Sequence, residues 1–286
     1  MIVGFIGFGE AAFAIASGLR EAGVEQMIAY DAFRSEQVVR RAKQIGVELQ
    51  DKIQSIGERA SLIFSLVTSS SAHEVAEEVV PFIQQGAVYA DLNSCSPKAK
   101  RGIGDLFSET GALFTCVAVM SAVPPLKHRV PMLADGPGAP QLKRQMEAYG
   151  MQIEVVDGPI GSAAVKMCRS VIVKGMEALF LEALLAADSA GVVERVLASA
   201  DASFGHMTLS ELANYLVVRN LQHGHRRAHE LAEAAETVAE LGYEPLVTRG
   251  AAQRLAWSAS KLPTGGQEQR ATSFWEVLEV LKQDPA

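Results

Sequence analysis

Residues 2–12 read IVGFIGFGEAA, an apolar run that leads into two glycines and then into small residues. The apolar run at residues 2–7 predicts a strand, and the helical spacing over residues 9–22 predicts a helix directly behind it. The turn between them has the G-x-G-x-x-A form in which glycines let a pyrophosphate approach the first N–H groups of a helix. We expect the whole turn to bind a dinucleotide: Gly7, Phe8, Gly9, Glu10, Ala11 and Ala12.

A carboxylate follows at the end of the next strand-like run. Residues 26–30 are strand-like and end at Asp31, close to the spacing of about twenty residues at which such a carboxylate accepts hydrogen bonds from the adenosine ribose. Because Asp31 would repel a 2′-phosphate, it favours NAD. Arg34 lies close enough in sequence to pair with that phosphate. The sequence therefore predicts NAD or NADP as the cofactor, with NAD favoured.

Strand-like and helical segments alternate as far as residue 157. Helices are predicted at residues 35–45, 72–82, 98–110 and 139–149, and strands at 62–67, 87–92, 113–119, 131–134 and 152–156. This order predicts an α/β Rossmann domain with a doubly wound, mostly parallel sheet. Ligands bind at the carboxyl ends of such strands. We expect Val67, Thr68 and Asn93 to contact the cofactor, and Asn93 and Ser94 to contact the substrate.

The alternation stops at Asp157-Gly158-Pro159, which is a turn signal. Residues 162–190 then predict a long helix with apolar residues nearly all round its middle, so the helix must be buried on several sides. Four or five helices are predicted after it, with breaks at Gly191, Gly205, Gly242, Pro245 and Pro263. We expect a Rossmann domain at residues 1–160 and an all-α domain at residues 161–286, joined by the long helix.

The long helix begins with small residues and then carries a polar stripe. Residues 158–166 read GPIGSAAVK, and Ser170 and Lys174 follow Lys166 on nearly the same helix face. A desolvated lysine there would exchange a proton with a substrate hydroxyl during hydride transfer. Lys166 and Ser170 are therefore catalytic candidates, and Lys174 is a candidate substrate contact. The alternative is a lysine whose stem packs while its ammonium reaches solvent.

Three segments together resemble the β-hydroxyacid dehydrogenase family, which includes 6-phosphogluconate, 3-hydroxyisobutyrate and tartronate semialdehyde dehydrogenases. They are residues 7–12, residues 91–97 (DLNSCSP, in the place of D-x-S-T-x-S-P) and residues 158–166. The resemblance extends over the whole chain in layout. It implies that Lys166 is the general acid/base, and that a second protomer covers the long helix in a homodimer.

Two positions depart from the family pattern. Ser170 stands where the family has asparagine one turn after the lysine, and residues 116–122 read CVAVMSA in place of D-x-P-V-S-G-G. Ser121 and Ala122 match the two glycines of that motif and are expected to contact the substrate. The chain resembles a divergent branch, so the substrate itself cannot be transferred from the family.

Composition excludes several other classes of protein. With 49% hydrophobic and 21% charged residues the chain resembles an ordinary globular enzyme, and its net charge of −7 argues against nucleic acid as a partner. The most apolar stretch, residues 165–187, is interrupted by charged residues and predicts no membrane span. Three widely spaced cysteines, and an N-terminus without a signal-peptide pattern, favour a soluble cytoplasmic protein.

Two basic clusters are interpreted as surface features rather than as ligand sites. His223, His225 and His229 lack the H-E-x-x-H pattern, so a solvated helix face is favoured over a metal site, while Arg219, His223 or Arg227 could pair with a substrate anion. Residues 127–129 (KHR) are expected to form an exposed loop, with an anion site near the nicotinamide as the alternative.

These features predict an NAD(P)-dependent oxidoreductase that moves a hydride between nicotinamide and a small hydroxy acid or a related polar metabolite. An imine reductase is the first alternative, because relatives with this layout reduce imines and Ser170 replaces the family asparagine. A cofactor-binding sensor or interaction protein without catalysis is the second alternative. Lys166 argues against both.

Overall fold

The computed structural model describes residues 1–158, 161–261 and 271–282, apart from the side chains of Leu221 and Gln222. The chain divides into two compact units, Met1–Val171 and Ile172–Ala286. The division falls inside the long helix, whereas the sequence-based boundary lies at its start. Pro159 and Ile160, which belong to the turn and to the small-residue segment singled out above, lie outside the described residues.

The first unit is built on one eight-stranded sheet with the order β3-β2-β1-β4-β5-β6-β7-β8. Its strands are β1 (Val3–Ile6), β2 (Met27–Tyr30), β3 (Glu48–Leu49), β4 (Leu62–Ser65), β5 (Val88–Asp91), β6 (Leu113–Val119), β7 (Met132–Asp135) and β8 (Ile153–Val155). Neighbouring strands are parallel except β6 and β7. The chain order reverses between β1 and β4, so the doubly wound fold is confirmed and its ligand crevice lies at the carboxyl ends of these strands.

Helices cover both faces of this sheet. They are α1 (Glu10–Glu21), α2 (Glu36–Ile45), α3 (Gln54–Arg59), α4 (Ala72–Val79), α5 (Pro97–Asp105), α6 (Val123–Leu126), α7 (Ala139–Glu147) and the beginning of α8 (Gly161–Ser189). Ser35 and Ser96 cap α2 and α5, each accepting a hydrogen bond from a backbone N–H at 3.3 Å. The sequence analysis missed β3, α3 and α6, which are too short to show a clear period.

The core of the first unit has one apolar layer on each face of the sheet. Phe5, Phe8 and Phe64 pack together on one face, with ring centroids 5.6–5.8 Å apart. Tyr89 and Phe107 pack on the other face, with centroids 4.6 Å apart. Burial on both faces explains why β1, β4 and β5 are continuous buried runs rather than alternating ones.

The basic cluster at residues 127–129 corrects one prediction, because it forms a 3-10 turn rather than an exposed loop. His128 is only 4% exposed, and a Cβ added to Gly18 of α1 would come within 2.0 Å of its Nδ1. Lys127 Nζ lies 2.5 Å from Glu21 Oε1 in the last turn of α1. Cations at a helix C-terminus complement its partial negative charge. The cluster therefore packs on α1 roughly 18 Å from the end that carries the glycine turn.

The second unit is helical. After the rest of α8 it contains α9 (Val193–Phe204), α10 (Leu209–Glu240), α11 (Leu246–Ser260) and α12 (Phe274–Lys282). A capping box of Thr208 and Glu211 starts α10. Glu182 of α8 accepts hydrogen bonds at 2.8 Å from the backbone N–H groups of Val247 and Thr248, and so caps α11. Pro263, at which the sequence suggested a helix break, is outside the described residues.

The middle of α8 leaves large apolar side chains uncovered in the single chain. The exposed fraction is 55% for Ile172, 53% for Phe180 and 63% for Leu181. The prediction that α8 needs burial on several sides is therefore unmet within one chain.

Among the described residues, no helix combines the length and the apolar composition that crossing a bilayer requires.

Candidate functional site

The glycine turn between β1 and α1 has the geometry of an anion-binding loop. Gly7 has φ +82°, and a Cβ there would lie 2.5 Å from the Leu66 carbonyl oxygen, so only glycine fits. Gly9 is the N-cap of α1, where no side chain caps the helix in the described structure, and a Cβ added to it would have no neighbour within 4 Å. Open space therefore faces uncapped helix N–H groups, which fits a dinucleotide pyrophosphate.

Asp31 holds this turn against the end of β2. Its Oδ2 accepts a hydrogen bond from Phe8 N at 2.6 Å, and its Oδ1 accepts one from Phe33 N at 2.9 Å. Each carboxylate oxygen keeps a lone pair for a ribose hydroxyl. Arg34, the candidate partner of a 2′-phosphate, instead forms an ion pair with Asp51 after β3.

Asn93 joins the carboxyl ends of β4 and β5 from a buried position. Its Oδ1 accepts a hydrogen bond from Val67 N at 2.8 Å, and its Nδ2 donates to Ser65 Oγ at 3.0 Å. The amide is thus engaged by the protein itself. Thr68 and Ser94, on the two loops that Asn93 connects, are exposed at this edge.

A buried ion pair lies next to Asn93, at the end of β5. The sequence analysis did not anticipate it. Lys100 of α5 and Asp91 at the end of β5 both have side chains that are 1% exposed, and Lys100 Nζ lies 3.1 Å from Asp91 Oδ2. One sequence signal could have indicated it. Lys100 lies three residues before Ile103, which places both on the sheet-facing side of α5.

The start of α8 is anchored over the same row of the sheet. Asp91, Cys116 and Asp135 are opposite one another on β5, β6 and β7. Ser162 N donates to Asp135 Oδ2 at 2.8 Å, and Ser162 Oγ donates to the Cys116 carbonyl oxygen at 3.3 Å. The first turn of α8 therefore lies beside the carboxyl end of β5.

Lys166 follows one turn later and is half-buried. Burial and the charge of Asp91 raise the pKa of the Cys95 thiol, while the charges of Lys100 and Lys166 lower it. The Lys166 ammonium therefore lies within electrostatic range of the loop that carries Asn93 and Ser94. Ser170 is also half-buried and belongs to the first unit.

The remaining candidates lie at the rim or in the second unit. Ser121 and Ala122 are exposed after β6, at the same sheet edge as Asn93. Lys174 is exposed and belongs to the second unit. Arg219 lies over the Tyr215 ring at 5.0 Å from its centroid. Among the described residues no group of three or more His, Cys, Asp or Glu side chains is arranged for a metal ion.

Comparison with known proteins finds a family match in each of the two units. Residues 2–93 match the family described as NADP oxidoreductase coenzyme F420-dependent, and residues 187–258 match a domain of unknown function, DUF1932. A conserved hypothetical protein from Sinorhizobium meliloti 1021 is 34% identical, with 98% of this chain and 95% of that chain covered and a TM-score of 0.63. A conserved protein described as structurally similar to 3-hydroxyacid dehydrogenases is 29% identical, with 89% and 96% covered and a TM-score of 0.63.

The fold and the glycine turn define a Rossmann oxidoreductase of the NAD(P)-dependent class, in agreement with the match over residues 2–93. The chain belongs to the family of the S. meliloti protein. Its resemblance to the β-hydroxyacid dehydrogenases, as a divergent branch, is confirmed. A reductive aminase from Aspergillus terreus in complex with NADPH and ethyl-5-oxohexanoate shares the fold at 15% identity, with a TM-score of 0.73 and 98% and 99% of the two chains covered.

Proposed function

We propose that this protein transfers a hydride between NAD(P) and the hydroxyl-bearing carbon of a small hydroxy acid or a related polar metabolite. One observation carries the proposal. The glycine turn, the Asn93 loop and the anchored start of α8 all lie at the carboxyl edge of one sheet within the first unit. Dinucleotides and their substrates bind at this edge in doubly wound folds.

Each element has a separate task. The N–H groups at the start of α1 bind the pyrophosphate, and Asp31 accepts hydrogen bonds from the ribose. The bound nicotinamide accepts or supplies the hydride. Val67 and Thr68 line the cofactor, and Ser94, Ser121 and Ala122 are the candidate substrate contacts at the rim.

Lys166 is the proposed proton-transfer group. Its Nζ takes the substrate hydroxyl proton as the carbonyl forms, and returns it in the reverse reaction. The hydrogen bonds from Ser162 to Asp135 and Cys116 position the helix that carries this lysine. Ser170, one turn further on, orients the substrate oxygen through one hydrogen bond. Lys174 stays a candidate substrate contact.

Reduction of an imine is the second candidate. The observation that favours it is Ser170, which stands where the resemblance to hydroxyacid dehydrogenases leads us to expect asparagine. Lys166 argues for oxidation of a hydroxyl, because a lysine can hold the proton that this reaction releases. A cofactor-binding protein without turnover is the third possibility.

A turnover screen distinguishes these functions. Hydroxy acids, sugar acids and hydroxylated amino acids are offered with NAD and NADP, and cyclic imines are offered with NADH and NADPH. We expect cofactor reduction with at least one hydroxy acid. Turnover of imines alone would support the second candidate, and cofactor binding without turnover would support the third. Failure to bind either dinucleotide would overturn the proposal.

A further inference from the structure

The ion pair between Lys100 and Asp91 is buried almost completely, with each side chain 1% exposed. Lys100 Nζ donates a hydrogen bond to the Asp91 backbone oxygen at 2.6 Å and lies 3.1 Å from Oδ2. Lysine is almost never buried unless it is paired. Replacing a buried ion pair with apolar residues is often neutral or stabilising, so stability alone does not explain the pair.

The other oxygen of Asp91 holds Asn93. Asp91 Oδ1 accepts hydrogen bonds from Asn93 N at 3.0 Å and from Asn93 Nδ2 at 2.6 Å. Because a carboxylate only accepts, it directs the NH₂ group of the amide toward itself. The amide oxygen then faces Val67 N, whose hydrogen bond it accepts at 2.8 Å. Asp91 and the Val67 N–H thus both favour this orientation of the Asn93 amide.

We propose that Lys100 is a positioning residue of the cofactor edge. Its ammonium lies against the Asp91 carboxylate, the carboxylate holds the NH₂ group of the Asn93 amide, and the amide oxygen fixes the Val67 N–H at the end of β4. This inference rests on the proposed function in one respect, namely that Val67 and Thr68 line the bound dinucleotide. The hydrogen-bond network itself lies within the protein and can be tested without cofactor.

Lys100 Nζ contacts both the side chain and the backbone oxygen of Asp91. The titratable neighbours in this region are Tyr89 on β5, Cys95 before α5, Cys116 on β6, Asp135 on β7 and Lys166 on α8. Burial, reinforced by the charge of Asp91, raises the pKa of Tyr89 and Cys95, and burial raises that of Cys116, so these three groups are neutral near pH 7. Asp91 Oδ2 accepts no hydrogen bond of good geometry within the described residues, and the Lys100 ammonium lies 3.1 Å from it.

The variant Lys100→Met removes this charge but keeps most of the buried stem. An unpaired buried carboxylate favours its neutral form, and the carbonyl oxygen of a protonated Asp91 is a weaker acceptor for the two N–H groups of Asn93 than a carboxylate oxygen is. We expect hydrogen exchange at the Val67 amide of the cofactor-free protein to accelerate about fivefold at pH 6, after correction for the intrinsic rate, and to return toward the wild-type value at pH 9. The dissociation constant for NADH should rise and fall with the same pH dependence.

Two controls separate charge from packing. Lys100→Met combined with Asp91→Asn removes both charges and the titratable group at position 91. It leaves an amide oxygen, a better acceptor than the carbonyl oxygen of a protonated carboxyl, that can still accept from Asn93. This double variant should protect Val67 at all pH values. Lys98→Met changes an exposed lysine of the same helix and should have no effect.

The outcomes are distinct. Wild-type protection of Val67 at pH 6 in Lys100→Met would overturn the inference, as would a folded double variant in which Val67 exchanges rapidly. If Lys100→Met does not fold, the double variant decides alone. If Val67 responds as expected but the wild-type protein binds neither NADH nor NADPH, the proposed function fails while the role of Lys100 in the network stands.

Discussion

Arg34 is ion-paired with Asp51 across the loops that follow β2 and β3. The register pairs Ala29 with Leu49, which places Asp51 opposite Asp31 when both strands are continued by two residues. Arg34 is therefore engaged by Asp51, beside the carboxylate that we propose accepts hydrogen bonds from the ribose. A 2′-phosphate would have to displace Asp51 to reach the guanidinium, so we infer that Asp51 acts with Asp31 to favour NAD.

The ion pair between Arg34 and Asp51 leads to a prediction about cofactor preference. We expect wild-type protein to bind NADH more tightly than NADPH, and Asp51→Asn to bind NADPH up to about fivefold more tightly, since an exposed ion pair is worth at most about 1 kcal/mol. Titration of nicotinamide fluorescence measures both affinities. The matched control is Glu48→Gln, which changes a carboxylate of β3 that is paired with Arg59 of α3. Tighter binding of NADPH by wild type, lost in Arg34→Ala, would show that the arginine outweighs both aspartates.

Proton transfer is tested at Lys166. General acid–base catalysis contributes about a hundred- to ten-thousandfold, so Lys166→Ala should lower kcat at least about a hundredfold while cofactor affinity is kept. Ser170→Ala removes one hydrogen bond and should cost about fivefold. If Lys174 binds a substrate anion, Lys174→Ala should raise KM more than it lowers kcat. Retention of most kcat in Lys166→Ala would show that another group transfers the proton.

Two glycines of the loop should respond differently to alanine. Gly7→Ala places a methyl group 2.5 Å from the Leu66 oxygen at φ +82°, so both stability and cofactor affinity should fall. Gly9→Ala meets no atom within 4 Å and should keep most of its stability, but the methyl group would occupy the pyrophosphate space. Thermal unfolding and NADH titration separate the two effects. The control is Gly102→Ala in the interior of α5, where an added Cβ meets no atom within 4 Å; it should leave NADH binding unchanged and stabilise the helix slightly. Unchanged NADH binding in Gly9→Ala would refute this placement of the pyrophosphate.

A homodimer should cover the apolar face of α8. Phe180 and Leu181 are 53% and 63% exposed in the single chain, which is unfavourable for side chains of this size. Sedimentation at micromolar concentration should give a dimer, and Leu181→Glu should weaken it. Val39→Glu, at an apolar position on α2 that is 41% exposed, is the control. A monomer with rapid hydrogen exchange along α8 would contradict this prediction.

The Glu182 cap should make the stability of the second unit depend on pH. Burial raises the pKa of this carboxyl, but hydrogen bonds from Thr248, Val247 and Leu246 together outweigh burial, so its pKa lies below the ordinary 4.5. A depressed pKa stabilises the folded state above the ordinary value and ceases to do so as pH falls through the folded-state value. Glu182→Gln should therefore be less stable by about 1 kcal/mol at pH 7, with the difference shrinking below pH 4.5 in urea unfolding. Glu177→Gln, also on α8, is the control. If the difference in unfolding free energy between wild type and Glu182→Gln were the same at all pH values, the Glu182 carboxylate would be excluded as the cap.

The first unit was largely predictable from sequence because its signals are local. The glycine turn, Asp31 at the end of β2 and the Ser35 cap of α2 each depend on a few consecutive residues whose conformations are strongly restricted. The alternation of strands and helices then leaves few arrangements other than a doubly wound sheet. The short elements β3 and α3 escaped detection because two to six residues show no reliable period.

Only the tertiary structure decided how the polar side chains at the edge of the sheet are used. By sequence, Lys100 resembles any solvated helix lysine, and Asn93 resembles a free ligand contact. The sheet register brings Asp91 beside both, so one becomes a buried counter-ion and the other a link between β4 and β5. His128 likewise becomes buried because the 3-10 turn packs on α1. Local patterns determine the elements, but the partner of a buried charge depends on residues brought together only when distant segments pack, because water no longer compensates the charge there.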